Sequence, residues 1–282
     1  MSFLQLALIG LIQGVTEWLP ISSSAHVLLL ADWFLLDGRD ELLINAISNA
    51  GTLAAMLLYF RKDVITATLG GFELLGAPFR GAQLSSGARL ALCILIATPL
   101  ALIAGYLFEQ APQGLADRLR SPMTIAWSTI IFGALLWWAD VKGARNRSEA
   151  DMTLGHAALI GATQAIAAII PGTSRSGITM TAARALGYDR SEAARFAMLI
   201  GVPILAAVSL YGVLQLADTT EPGSATLSDG LIVAASAFVS GYASIWGLMA
   251  LLKRMSFLPF VIYRFVLGAA LLIASPHLPT LV

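Results

Sequence analysis

Charged side chains are scarce in this 282-residue sequence. Asp, Glu, Lys and Arg together make up 12% of it, about half the share of a soluble domain. Hydrophobic residues reach 57%, and the charges fall between long apolar runs. That pattern excludes a soluble domain with a buried core and indicates a polytopic membrane protein. Cysteine occurs once, as Cys93 inside an apolar run, which rules out a disulfide framework and a thiolate metal site. The net charge of zero says little, because the placement of charge carries the information. No nucleic-acid partner is expected. The first residues have neither a basic n-region nor a small-residue cleavage site, so they are expected to be mature sequence, not a signal peptide.

What the chain does have is a stretch that occurs twice. Leu8–Leu30 and Leu159–Thr181 are 23 residues each, lie 151 positions apart and align without a gap. Leu8/Leu159, Ile9/Ile160, Gly10/Gly161, Gln13/Gln164, Pro20/Pro171 and Ser23/Ser174 are identical. Matched Gln, Pro and Ser are not what hydrophobic drift supplies. Each copy is an apolar run, a proline, a cluster of hydroxyls and another apolar run. Neither half of a copy reaches the roughly 20 apolar residues of a spanning helix. In a membrane chain a re-entrant helical hairpin is the expected form, its turn packed in protein or lining a cavity.

Six other runs are long enough to span: Leu43–Phe60, Leu90–Phe108, Pro122–Ala139, Phe196–Leu216, Gly230–Leu252 and Phe257–Ser275. Arg61, Lys62, Arg80, Arg89, Lys142, Arg145, Arg147, Arg184, Arg190, Arg195, Lys253 and Arg254 then all fall on one side, which is expected to be cytoplasmic. Arg39, Arg118 and Arg120 fall on the other, and Ala217–Asp229 holds no basic residue. With six alternating spans, the first hairpin enters from the outer face and the second from the cytoplasm. The expected fold is an all-α polytopic membrane protein forming a single integral membrane domain over 1–282. It consists of two inverted-topology repeats, about 1–140 and about 152–282, each one re-entrant hairpin plus three transmembrane helices. Inverted repeats meeting at mid-membrane are a way to build a site from broken helices.

The candidate site lies at the two prolines. Gln13 and Glu17 are four residues apart and share a helical face; Ser22, Ser23 and Ser24 follow Pro20, with His26 one turn later. An intramembrane carboxylate and imidazole are costly enough to mark a functional site, whereas the serines are explained equally well as helix caps. The second copy carries Pro171-Gly172-Thr173-Ser174-Arg175-Ser176-Gly177-Ile178-Thr179. Glycines allow a tight turn and close approach. Hydroxyls and free N–H groups at a helix start cradle anions, and Arg175 offers a planar fork that matches phosphate oxygens. A Glu17–Arg175 salt bridge is the structural alternative for the empty site and is compatible with phosphate binding. Asn45, Ser48 and Asn49 either line the same cavity or bond between helices. Arg264 is expected to snorkel to the cytoplasmic interface, and Trp137–Trp138 to form an interfacial belt. His156 and His277 receive no role.

These motifs resemble the undecaprenyl-diphosphate phosphatase family, the BacA-type bacitracin-resistance proteins. Gln13-x-x-x-Glu17, continuing as TEWLPISSSAH to His26, matches the family's (E/Q)xxxE motif. Pro171–Thr179 matches its PGxSRSxxT motif at every fixed position. The similar layout covers essentially the whole chain. Gln13 is the variant without a carboxyl group, so Glu17 remains the only carboxylate of that pair. The resemblance implies hydrolysis of a C55 polyprenyl diphosphate to the monophosphate and inorganic phosphate at the outer face of a bacterial cytoplasmic membrane. This recycles the carrier for peptidoglycan and other wall polymers. A divalent cation, Mg²⁺ or Ca²⁺, usually accompanies the activity. Beyond the lipid substrate and the surrounding lipids, a homodimer is an open partner state. On this reading Arg175, Ser174, Thr179 and the hairpin N–H groups hold the diphosphate, with Gln13, Ser22, Ser24, Gly172, Thr173 and Ser176 around it. Either Ser23 attacks phosphorus with His26 as base, or His26 activates a water. Glu17 orients His26 or Arg175, or binds the metal. Two readings compete. A carrier moving polyprenyl phosphate between leaflets needs binding groups but no nucleophile, and a structural scaffold leaves Glu17, His26 and Arg175 unexplained.

Overall fold

The computed structural model describes residues 2–26, 38–76, 84–218 and 226–278, and regular structure among them is helical throughout. Helix α1 (Phe3–Trp18) starts in a capping box. The Ser2 hydroxyl accepts from the Gln5 amide, and the Gln5 side chain accepts in return from the Ser2 amide. Its sequence counterpart, α8 (Leu154–Ile169), is capped by Thr153. Both helices have 16 residues, about 24 Å at 1.5 Å per residue, short of the roughly 30 Å hydrocarbon core. Both stop two residues before a proline. Leu19 and Ile170 are extended, the conformation that a following proline ring imposes. After each proline the chain reverses and a new helix begins, at residue 23 in the first copy and at Arg175 (α9, Arg175–Ala185) in the second. The second apolar run of the first copy continues into 27–30, outside the described residues.

The two turns differ by one residue. Ser22 and Ser174 stand just before the new helices with φ 72° and 67°, and Gly172 (φ 87°) occupies the extra position. The gapless alignment that pairs Ser23 with Ser174 therefore slips after the prolines. In three dimensions Ser22 matches Ser174, Ser23 matches Arg175, and Ser24 matches Ser176. The hydroxyl pairs repeat in the same register, Ser22 to Ser24 at 3.1 Å and Ser174 to Ser176 at 3.3 Å.

Around the hairpins stand α2 (Gly38–Tyr59), α3 (Arg61–Gly76), α4 (Ser86–Ala97), α5 (Pro99–Glu109), α6 (Gln113–Leu119), α7 (Pro122–Lys142), α10 (Arg190–Leu199), α11 (Gly201–Asp218), α12 (Leu227–Leu252) and α13 (Leu258–Ala274). Among the described residues, five segments have the length and apolarity to cross a membrane: Ser86–Glu109, Pro122–Lys142, Arg190–Gln215, Ser228–Leu252 and Leu258–His277. A sixth, Leu43–Tyr59 followed by Arg61–Gly76, bends by 89°. The expected first span thus ends at the bend. α3 turns aside with Ile65, Leu69, Phe72 and Leu75 exposed along one stripe, as in a helix lying in a membrane interface.

Packing crosses between the halves of the sequence. α1 lies on α12 while α8 lies on α4 and α5; α2 meets α11, and α7 meets α13. Small residues permit this. A Cβ on Gly10 would run into the backbone of Val233 and Ala237, one on Gly14 into Ser240, and one on Gly161 into Ala97. Without a hydrophobic drive between helices in lipid, such close backbone contact supplies the attraction. The main apolar cluster gathers Trp18, Met56, Leu136, Ile160, Met180, Phe196 and Phe257 from both halves.

One end of the bundle is locked by ions. Asp140 on α7 accepts from Arg184 Nε at 3.1 Å, from Arg190 Nε at 2.7 Å and Nη2 at 2.9 Å, and from the Phe257 amide at 3.1 Å. Arg184 is fully buried, and its remaining donors go to the carbonyls of Asp140, Gly143, Ala144 and Tyr188. Arg195 bridges Asp63 and Glu149. Three of the arginines expected merely as loop charges are therefore built into the packing. A buried ion pair is tolerable only when its remaining hydrogen-bonding capacity is met, as it is here.

Candidate active site at the hairpin turns

Both turns meet at one cavity of about 260 Å³, lined by Thr16, Glu17, Ser22, Ser23, Ser24, Ala167, Ile170, Pro171, Gly172, Ser174 and Arg175. Two helix starts face it, at residues 23 and 175. The first N–H groups of a helix lack intrahelical partners, so both contribute positive ends to the same space. Glu17 is the hub of its charged groups. One oxygen accepts from Arg175 Nη2 at 3.0 Å; the other lies 3.3 Å from Gln13 Nε2 and 3.4 Å from the Ser23 hydroxyl. Gln13 also reaches Asn49 Oδ1 at 2.8 Å, which ties α2 to the site through a polar bond between helices.

Arg175 is held as a loaded fork. Its guanidinium sits 5.2 Å from the centre of the buried Trp18 ring, a cation–π placement, and Trp18 is fixed by donating from Nε1 to the Thr52 carbonyl at 3.1 Å. The other terminal nitrogen, Nη1, is buried without a hydrogen-bond partner. It packs against Gly201, where any side chain would collide with it. A buried, unpaired charged donor is costly, so this nitrogen is poised for an anion.

The hydroxyls cross between hairpins. Ser24 accepts from the Gly172 amide at 2.9 Å, while Ser176 donates to the Leu19 carbonyl at 3.1 Å. Each turn is thus pinned by a serine of the other. Thr173 and Thr179 are fully buried, and their hydroxyls bond to nearby carbonyls, Ile170 for the first and Arg175 and Ser176 for the second. Of the expected diphosphate ligands, Ser22, Ser24, Gly172 and Ser174 line the cavity. Gln13 stands behind Glu17, and Thr173, Ser176 and Thr179 belong to the framework. Among the expected catalytic residues, Glu17, Ser23 and Arg175 are together.

His26 faces the opposite side of the first turn. Its Nδ1 is 2.7 Å from the Ser22 carbonyl, an acceptor only, so Nδ1 carries the hydrogen. Nε2 then accepts from the Tyr263 hydroxyl at 2.6 Å, with the rings stacked 5.5 Å apart. The group nearest the Ser23 hydroxyl is Glu17, not His26.

Arg264 overturns its expectation. It does not snorkel; it is fully buried and spends all five N–H donors on backbone carbonyls. Nε gives to Thr129 at 3.0 Å, Nη1 to Pro20 at 3.3 Å and Thr173 at 3.1 Å, and Nη2 to Gly172 at 3.0 Å and Thr173 at 3.1 Å. The cation therefore sits where α1 and α8 end and both turns begin, against the negative poles of two helices. Ser128 supports the same turn by donating to the Pro171 carbonyl at 2.5 Å. Gln164, the repeat partner of Gln13, serves packing instead, donating to Ala97 at 3.2 Å beside the α4–α5 break.

No group of three or more His, Cys, Asp or Glu side chains able to hold a metal occurs among the described residues. The cavity offers one carboxylate and several hydroxyls. That donor set fits a hard cation completed by phosphate oxygens and water, as Mg²⁺ is usually bound, and not a cage supplied by protein alone.

Comparison with known proteins gives a consistent result. Residues 6–270 match the model of the family described as Bacitracin resistance protein BacA. A protein of Hyphomonas neptunium named undecaprenyl-diphosphatase is 69% identical over 278 residues, 98% of each chain. Proteins of the same name from Maricaulis maris (45%, covering 97% of this chain and 99% of the relative) and Jannaschia sp. (42%, 98% and 99%) are similar over nearly full length.

Proposed function

The chain belongs to the BacA family of bacitracin resistance proteins, and on that premise we propose that it hydrolyses undecaprenyl diphosphate to undecaprenyl phosphate and inorganic phosphate. This recycles the lipid carrier of cell-wall synthesis and confers bacitracin resistance. The observation that carries the reading is the Glu17–Arg175–Ser23 cluster at two facing helix starts, with Arg175 Nη1 buried and unpaired. A phosphoryl oxygen supplies the missing acceptor.

The chemistry follows from the distances. Arg175 and the N–H groups at the two helix starts take the terminal phosphoryl group and stabilise its charge in the transition state. The Ser23 hydroxyl attacks that phosphorus and passes its proton to Glu17, 3.4 Å away. The bond to the bridging oxygen breaks, and the electron pair departs with undecaprenyl phosphate. Glu17 gives its proton to the departing phosphate; water then attacks the phosphoserine and passes its proton to Glu17, which returns it to the Ser23 oxygen as inorganic phosphate is released. The route in which His26 is the base requires the imidazole to leave Tyr263 and cross the turn, so Glu17 is assigned that role. A divalent cation, Mg²⁺ or Ca²⁺, would be held by Glu17 together with diphosphate oxygens and would neutralise phosphate charge.

In membrane terms, the α1 and α8 hairpins are re-entrant, and the halves about 1–140 and about 152–282 are inverted repeats. Their 16-residue helices and the crossed packing support this. The protein sits in the bacterial cytoplasmic membrane with the site opening toward the outer face, a reading that the one-sided basic loops support. Phosphate release by purified protein in detergent, where no leaflets exist, tests the function. Ser23→Ala should abolish it, and a trapped phosphoenzyme should map to Ser23. A wild-type protein that releases none with divalent cation present belongs instead to the carrier class.

A further inference from the structure

A second cavity lies across the first turn from the catalytic one. It is an open groove of about 430 Å³, walled by Leu11, Ile12, Val15 and Leu19 on one side and by Pro259, Phe260 and Tyr263 on the other. Its origin is in the packing: α1 is committed to α12 and α13 to α7, so the two helices leave a gap between them. The groove is almost wholly apolar. Its polar groups are Thr16, His26 and the hydroxyl of Tyr263. Thr16 also lines the catalytic cavity, so polar cavity and apolar groove are neighbours separated by the residue 19–26 turn. The volume is within the range of small-molecule sites, enough for the first part of a long chain and far too little for all of one.

We propose that this groove seats the proximal isoprene units of the substrate. The terminal phosphoryl group then lies at Arg175, the chain at Leu11, Val15, Phe260 and Tyr263, and the lipid-linked phosphate passes Thr16 and His26 at the edge between them. The proposal rests on the phosphatase reading and extends it to how the substrate is divided. It gives the His26–Tyr263 pair a place: the bond to Tyr263 and the bond to the Ser22 carbonyl hold His26 at that edge, beside the phosphate that leaves with the lipid. Chain-length preference then resides in the groove walls, apart from the groups that perform the transfer. Burying apolar chain is favourable in proportion to the area removed from water, so the groove acts on affinity for substrates with tails and leaves the chemical step alone.

The test compares isopentenyl, farnesyl and undecaprenyl diphosphates as substrates of the purified full-length protein in detergent. Val15→Phe fills the groove, and Phe260→Asn makes its far wall polar; thermal stability is followed for both. The expected result is a KM raised about tenfold for the farnesyl and undecaprenyl compounds, with kcat and the isopentenyl KM within twofold of wild type. Folded variants that keep the wild-type order of KM values overturn the proposal, as do variants that lose all three substrates equally. Wild-type protein inactive on every diphosphate removes the phosphatase reading itself, and the groove's occupant with it.

Discussion

Replacing Arg264 by methionine removes five N–H donors from the point where both hairpin turns begin. The carbonyls of Pro20, Thr129, Gly172 and Thr173 each lose a charged donor in a place closed to water. An unsatisfied buried group costs about 1–3 kcal/mol; Gly172 keeps the Thr129 hydroxyl and Thr129 lies inside α7, so Pro20 and Thr173 carry the loss, about 4 kcal/mol together. The buried cation's own desolvation cost disappears at the same time and offsets part of that sum. A net loss of about 3 kcal/mol is expected for Arg264→Met, in line with removing one member of a buried polar set. Lysine keeps the charge and three donors, so Arg264→Lys should lose about half as much. The chain carries its own reporter: Cys93 is its single cysteine and is buried, so a thiol-reactive dye reads unfolding in detergent directly. Dye uptake should begin at a lower temperature in both variants, in the order Met before Lys. In the fraction still folded, phosphate release should fall by about 10²-fold, the cost of misplacing reacting groups by about 1 Å. An Arg264→Met protein with wild-type unfolding temperature and turnover refutes the assignment, because the carbonyls would then need no donor.

Three further outcomes follow from the site and its frame. Arg175→Lys should lower kcat/KM by at least about 10²-fold while the protein stays folded, because a point charge replaces the fork that reaches Glu17 and phosphate together; steady-state assays in detergent measure it. Chelation by EDTA should stop phosphate release, restored by Mg²⁺ or Ca²⁺, without shifting the dye-detected unfolding temperature. A cation held chiefly by the diphosphate stabilises the complex and not the free protein. Asp140→Asn should cost about 3–5 kcal/mol in unfolding assays, since it leaves the buried Arg184 and its neighbour Arg190 without their carboxylate. An unchanged stability there would mean the arginines are satisfied by carbonyls alone.

The hairpins were legible because their signals are local. A proline forces the residue before it out of helix, and a hydroxyl cluster after it starts another. The matched Pro and Ser mark two turns that are built alike, each with a hydroxyl-bearing residue at positive φ before a new helix. The turn at Pro171–Thr179 was legible for the same reason: its glycine, hydroxyls and arginine are contiguous in the chain. What escaped is set by distance in sequence. Arg264 lies more than 80 residues from the nearer turn it holds, and a lone arginine in an apolar run has the same local pattern whether it snorkels or is buried. Arg184, Arg190 and Arg195 looked like loop charges because charge pattern does not reveal pairing. Spacing puts His26 one turn after Ser22 and Ser23, near their backbone, but it does not reveal that the turn directs the ring to Tyr263 on another helix. The one-residue slip between the turns was hidden because Ser22, Ser23 and Ser24 are identical in type.

The crossed serines also set a clock. Ser24 finds its partner in Gly172, 148 residues later, and Pro20 waits for Arg264, 244 residues later. At roughly 5–20 residues per second, the first turn exists for on the order of ten seconds or more before Gly172 and Arg264 can meet its Ser24 hydroxyl and Pro20 carbonyl. During synthesis, then, the tip carrying Glu17 must be sheltered by lipid headgroups, by water or by the insertion machinery. A nascent chain cut before the last helix would leave that tip bare in the membrane. Its exposed polarity would single out such fragments for membrane quality control.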